Sequence, residues 1–118
     1  MPGQNKFPRR ERLTRHSEYL DVYRNGDKQV GRAFICYGVR RQGQGRKLGI
    51  AVSRKVGKAV VRNRLKRYVR EIYRTHRTFL AEDAHIVIVA RPAAMALDYA
   101  ACEHAIRKLL RKGGLLSG

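Results

Sequence analysis

The stretch "KAVVRNRLKRYVREIYR", Lys58 to Arg74, decides how this chain is read. It carries seven Lys or Arg and one acid, Glu71, yet its apolar residues return at regular intervals. At about 3.6 residues per turn, Val61, Leu65, Tyr68 and Ile72 fall in a narrow arc with Val69 beside them. The spacing predicts one helix from Lys58 to His76, its apolar stripe turned to a core. Arg62, Lys66 and Arg70 recur every four residues on the shoulder of that stripe, Asn63, Arg67 and Arg74 lie further round, and Arg64 sits near the other edge. A merely solvated face would mix signs, with Glu placed four residues from Lys or Arg to relieve repulsion. This face does not, so an anionic partner is expected against it.

The whole chain repeats that bias. Its 118 residues include 27 Lys plus Arg against nine Asp plus Glu, a net charge of +18, and its pI is near 11.1. An apolar share of 43% is ordinary for a folded protein, so the charge does not imply disorder. The length suits one domain over 1–118, with the polar, proline-containing residues 1–12 expected as a loose basic arm. Such an excess of cations points to nucleic acid. No apolar run is long enough for a membrane span and the N-terminus has no signal-peptide core, so the expected location is cytoplasmic, with no membrane partner. Cys36 and Cys102 lie far apart and belong to no paired motif, and are expected as small buried thiols.

Outward from the basic helix, the pattern predicts an α/β sandwich of the α+β class in the order α-β-β-β-α-β-α. Thr14 is placed to cap a first helix from Arg15 to Arg24, stopped by Asn25-Gly26. That helix sets Tyr19 and Tyr23 one turn apart on one side. "KQVGRAFICYGVRR" and "RKLGIAVSRK" flank the glycine-rich "QGQG" and read as an antiparallel hairpin, with Gln29 to Arg32 as a short edge strand. Strand alternation puts Phe34 and Cys36 on one face and Ile35, Tyr37 and Val39 on the other. It likewise sets Leu48, Ile50 and Val52 against small Gly49, Ala51 and Ser53. "HIVIVA", His85 to Ala90, is apolar throughout, as a strand covered on both faces must be. Asp98 caps a last helix, Tyr99 to Lys112, stopped by Gly113-Gly114.

Several chemistries lack their residues. The nine acids are scattered, without the converging carboxylates that a metal-dependent nuclease needs. His16, His76, His85 and His104 have no ligand-like spacing, and the glycines of "GQGRKLG" lie between strands rather than before a helix. No catalytic residue, metal site or protein-held cofactor is expected in this chain. What remains is binding. Tyr19, Tyr23 and Tyr37 beside a shallow floor at Gly49, Ala51 and Ser53 would suit stacking of single-stranded bases, although each tyrosine alone is equally suited to core packing with its hydroxyl at the surface.

At "SRKVGKAVVRNRLKRYVREIYR" the chain resembles the protein subunit family of bacterial ribonuclease P, whose hallmark Arg-Asn-Arg falls on Arg62, Asn63 and Arg64. "RERLTRHSEYLDVYRNG", "FICY", "LGIAVSRKVG" and "IVIVARPA" match in order, so the likeness spans roughly residues 9 to 112. The resemblance implies a fold like the second domain of a small-subunit ribosomal protein, with a mixed four-stranded sheet and a left-handed crossover. It implies an accessory subunit of an endoribonuclease that trims the 5′ leader from precursor tRNA. Catalysis and Mg²⁺ would then belong to the RNA partner. The family's contact with the catalytic RNA carries over to Arg54, Lys55, Arg62, Asn63, Arg64, Arg67 and Arg70, with Lys66 open to either the RNA or the cleft. The leader-binding cleft carries over to Tyr19, Tyr23, Tyr37, Ala51, Ser53 and, against strand parity, Phe34. Tyr stands where many relatives have Phe in the first helix, which leaves two hydroxyls without a role. The rival reading is a ribosomal or RNA-chaperone protein that binds structured RNA without such a cleft.

Overall fold

The apolar stripe of the basic helix docks on a four-stranded sheet. The structure, a computed structural model, describes residues 7–117. Its elements are α1 (His16–Asn25), β1 (Asp27–Val30), β2 (Phe34–Arg40), β3 (Lys47–Ala51), α2 (Ala59–His76), β4 (Ala84–Ala90) and α3 (Tyr99–Lys112). Short 3-10 turns at Arg9–Glu11, Arg54–Val56, Arg77–Phe79 and Pro92–Ala96 join them. The expected element order holds, in an α+β sandwich.

The sheet order is β1-β2-β4-β3, and here one expectation fails. β2 and β3 do not form a hairpin; β4 lies between them, antiparallel to β2 and parallel to β3. The reason lies in β4 itself. Its residues Ala84 to Ile88 are buried without alternation, so both faces and both edges need cover, which only a central position supplies. The "QGQG" segment therefore carries the chain past the end of β4 rather than around a tight turn, and α2 is the crossover between parallel β3 and β4.

Alternation divides the molecule into two layers. Phe34 and Cys36 of β2, Leu48 of β3, and Ile86 and Ile88 of β4 face α2 and α3 in the main core. Tyr37, Val39, Val87 and Val89 point the other way, toward α1, where they meet Leu13, Val22, Tyr19 and Tyr23. On α2 the buried residues are Leu65, Val69, Ile72 and Tyr73. Tyr73 thus joins the expected stripe, while Tyr68 moves to its rim, edge-on to Tyr99 with centroids 5.5 Å apart. Full burial of each aliphatic side chain contributes about 1.5–3 kcal/mol, which anchors the charged helix despite its self-repulsion.

The helix ends show which local signals were sound. Asp98 caps α3 as expected, its Oδ1 accepting from the Ala101 amide at 2.9 Å. At α1 the cap is different: Glu18, not Thr14, supplies the acceptor, taking the Thr14 and Arg15 amides at 3.1 and 2.9 Å. The helix accordingly begins one residue later than expected. Both cysteines are buried free thiols, and burial pushes their pKa values up, to about 12 for Cys36 and about 11 for Cys102.

The expected arm at 1–12 lies partly outside the described residues; the part within them, from Phe7, is not loose. Phe7 packs edge-on against Tyr73, centroids 5.2 Å apart, and Glu11 is buried. The Leu13 amide donates to the Leu48 carbonyl at 3.0 Å, so this segment lines the outer edge of β3. At the other terminus Leu115 and Leu116 are buried too, and Leu115 fills the space that the missing side chain of Gly38 leaves on β2.

Candidate nucleic-acid interface

Two surfaces meet along the outer edge of β3. The first is the outer side of α2. Asn63, Arg67 and Arg70 are exposed, Arg62 and Lys66 half-buried, and Arg54 and Lys55 stand exposed on the turn just before the helix. Among the described residues none of Arg62, Arg64, Lys66, Arg67 and Arg70 has an acidic partner. The one acid of the helix, Glu71, is taken by Arg74, whose Nε donates to it at 2.9 Å. Elsewhere Arg40, Arg41, Lys47 and Arg77 hold Asp83, Asp21, Glu18 and Glu11. The acids thus neutralise cations away from the α2 face and leave its charge uncompensated.

Arg64 departs from the expected pattern. Its Nη2 donates to the Met95 carbonyl at 2.8 Å and its Nε is sealed from solvent without a partner. It braces α2 against the Pro92–Ala96 turn, so the outward face rests on Arg62, Asn63, Lys66, Arg67 and Arg70.

The second surface is a line of rings on the α1 side of the sheet. Tyr23 and Tyr37 meet at 81° with centroids 4.8 Å apart, and Tyr19 follows at 6.4 Å from Tyr23. Lys28 Nζ stands 5.7 Å from the centre of the Tyr37 ring, a cation at the far end of the line. All three tyrosines are half-buried, each with part of its surface accessible. Burial, reinforced by its two neighbours, raises the Tyr23 pKa, so the hydroxyl stays protonated at neutral pH.

Small residues place Tyr19. A Cβ on Gly49 would stand 2.6 Å from its ring, so the ring lies directly on the β3 backbone. Its hydroxyl accepts from the Ile50 amide at 3.3 Å, an otherwise unpaired donor of an edge strand. That gives one of the two unassigned hydroxyls a structural task. The expected open floor is correspondingly smaller: Gly49 is covered, Ala51 half-buried and Ser53 exposed. Phe34, in contrast, is fully buried under α3 on the opposite face of the sheet and cannot reach this surface. Strand parity already separated it from Tyr37.

Where the surfaces join there is a cleft of about 460 Å³, lined by Tyr19, Leu48 and Ile50 on one side and by Lys66 and Arg70 on the other. Phe7, Arg12, Leu13 and Thr14 form a third wall that the sequence reading missed. Among the described residues no group of three or more His, Cys, Asp or Glu stands together in a way that could hold a metal ion, and no helix is long and apolar enough to cross a membrane.

A basic α+β sandwich with a cationic helix face that has no acidic partners among the described residues, beside half-buried but accessible rings, is the build of a nucleic-acid-binding protein. Comparison with known proteins narrows the class. The Ribonuclease P family model matches residues 7–114. The ribonuclease P protein component of Dictyoglomus thermophilum is 38% identical over 117 residues, 97% of each chain. That of Desulfovibrio desulfuricans is 44% identical over 110 residues, 90% of this chain and 85% of the other. Among solved structures, the RNase P protein of Staphylococcus aureus superposes with a TM-score of 0.84 at 25% identity, covering 91% of this chain and 98% of that one. The Thermotoga maritima protein gives 0.78 at 28% identity, covering 92% and 99%. The chain belongs to the bacterial ribonuclease P protein family.

Proposed function

We propose that this chain serves ribonuclease P by holding two RNAs at once, the catalytic RNA on the outer face of α2 and the single-stranded 5′ leader of precursor tRNA across Tyr19, Tyr23 and Tyr37. The observation that carries the reading is that Arg62, Lys66, Arg67 and Arg70 have no acidic partner among the described residues and stand beside a line of half-buried, accessible rings. Arg62, Asn63, Arg67 and Arg70, with Arg54 and Lys55, take phosphates of the structured RNA, where each contact releases counterions and gives affinity with little sequence readout. The tyrosine rings take bases, which stack without regard to sequence, as a partner of many different leaders requires. Lys66 and Arg70 stand where the two surfaces meet and serve both.

Hydrolysis is assigned to the RNA partner with its Mg²⁺. The carboxylates of this chain do not suit a metal centre, because most are committed to internal ion pairs or a helix cap. The protein's part is to raise precursor affinity and to steady the folded RNA. Adding the chain to a bacterial ribonuclease P RNA at low Mg²⁺ tests this: precursor processing is expected to be restored, and the holoenzyme to bind precursor more tightly than mature tRNA. Equal affinity for the two would instead favour a general RNA-binding protein without a leader cleft.

A further inference from the structure

The segment from Phe7 to Arg15 precedes every element assigned to RNA contact, yet it is fastened at three points. Glu11, only 4% exposed, accepts from the Tyr73 hydroxyl at 2.6 Å and from Arg77 Nε at 2.9 Å. The Leu13 amide is bonded to β3, and Glu18 gathers the Thr14 and Arg15 amides together with Lys47 Nζ at 3.3 Å. Burying a carboxylate costs free energy unless it is fully paired, so a clamp of this kind on a terminal segment calls for a reason.

Its consequence is the direction of the neighbouring side chains. With Glu11 turned inward on a 3-10 turn, Arg9, Arg10, Arg12 and Arg15 are all exposed. None of the four forms an ion pair among the described residues, although the Arg10 charge acts on neighbouring Glu11 and helps to lower its pKa. Arg12 lies over the Phe7 ring, its Cζ 5.0 Å from the centroid, and its Nη2 is tied to the Phe7 carbonyl at 2.9 Å. The four arginines and Lys47 line a depression of about 390 Å³ that shares Arg12 and Thr14 with the cleft beside Tyr19. Glu18 is the single acid at its border, and the Arg15 and Thr14 amides with Lys47 already neutralise it.

We infer that this strap is a second RNA-contacting site, a phosphate-binding wall that continues the leader path out of the cleft, with Glu11 as the positioning residue that aims it. The inference rests on the leader reading proposed above. A strand whose bases stack on Tyr19 and whose backbone meets Lys66 and Arg70 passes Arg12 as it leaves the cleft. Beyond Arg12 it finds Arg9, Arg10 and Arg15. A fixed cationic wall binds such a strand more tightly than a floating arm of equal charge, because the ordering of the segment is completed before RNA arrives.

The test uses holoenzyme reconstituted on a bacterial ribonuclease P RNA and three ligands: mature tRNA, precursor with a leader confined to the cleft, and precursor with a leader several nucleotides longer. The wild type is expected to gain affinity at each step. Arg9→Gln/Arg10→Gln should lose roughly tenfold on the longest leader alone, with a salt slope smaller by about two. Glu11→Gln removes a negative charge, so undirected electrostatics predicts tighter binding, whereas a positioned wall predicts loss of the same long-leader gain. Tyr73→Phe keeps both the net charge and the ring against Phe7, and checks the clamp should Glu11→Gln not fold. A long-leader gain that survives in Arg9→Gln/Arg10→Gln would overturn the wall, and one that survives in both clamp variants would overturn the role of Glu11. No preference of the wild type for any leader would overturn the cleft reading first and this extension with it.

Discussion

Tyr19 rests on Gly49 so closely that a single added carbon, the Cβ of any other residue, would stand 2.6 Å from its ring. The pair joins α1 to the edge of β3 and sets where the ring line begins. Gly49→Ala is therefore expected to push the ring off the strand, breaking the hydroxyl contact with Ile50. The cost should be about 1–3 kcal/mol, as for other overpacked sites, measurable as a fall in the urea midpoint. Tyr19→Phe removes only the hydrogen bond and should cost about 0.5–1.5 kcal/mol.

Tyr37→Ala removes one end of the proposed stacking surface without touching the α2 face. Base-aromatic stacking is worth about 1–3 kcal/mol per base, so precursor binding should weaken roughly five- to hundredfold while binding of mature tRNA by the holoenzyme stays nearly constant. Phe34→Leu, on the buried face of the same strand, serves as the contrast. It should lower stability and leave the ratio of the two affinities unchanged.

Arg62→Ala and Arg67→Ala should weaken assembly with the catalytic RNA and reduce the slope of log affinity against log salt by about one each. Arg64→Ala should act differently, since its guanidinium is anchored on the Met95 carbonyl. Its loss frees the Pro92–Ala96 turn, so thermal stability should fall along with RNA affinity. Filter binding over a salt series, paired with melting curves, separates the two behaviours.

Acid should unfold the protein in a defined window. Two backbone amides and Lys47 hold the Glu18 pKa near 2, and Arg77 and Tyr73 outweigh the burial that would raise Glu11, leaving it below the ordinary value. Carboxyls depressed in the folded state stabilise it above the unfolded pKa and lose that effect as pH falls toward the folded one. Stability should therefore decline from about pH 5 toward pH 2, and buried His85, whose pKa burial lowers, should add an earlier loss as pH falls below about 6.5. Glu18→Gln should start lower at neutral pH and fall less steeply, as denaturant midpoints over a pH series would show.

Much of this was legible from local pattern. The period of α2 marks its buried stripe and its cationic face, and strand parity separates Phe34 from Tyr37. Asp98 capped α3 because an N-cap acts on amides within one turn, where sequence distance and spatial distance agree. Glu18 was harder to see as a cap, since it reaches back to amides that precede its own helix.

What the amino-acid order determined by itself, then, is the set of elements, the face each side chain takes and the sign of the partner, all consequences of backbone periodicity and charge. The tertiary structure alone decided three things: that β4 separates β2 from β3, that Glu11 is drawn inward by Tyr73 and Arg77, and that Arg64 is braced rather than free. Each of these joins residues far apart in the chain. Such contacts form because an apolar strand needs cover on both edges and a buried charge needs its counter-charge, and neither need says in advance which distant segment will meet it.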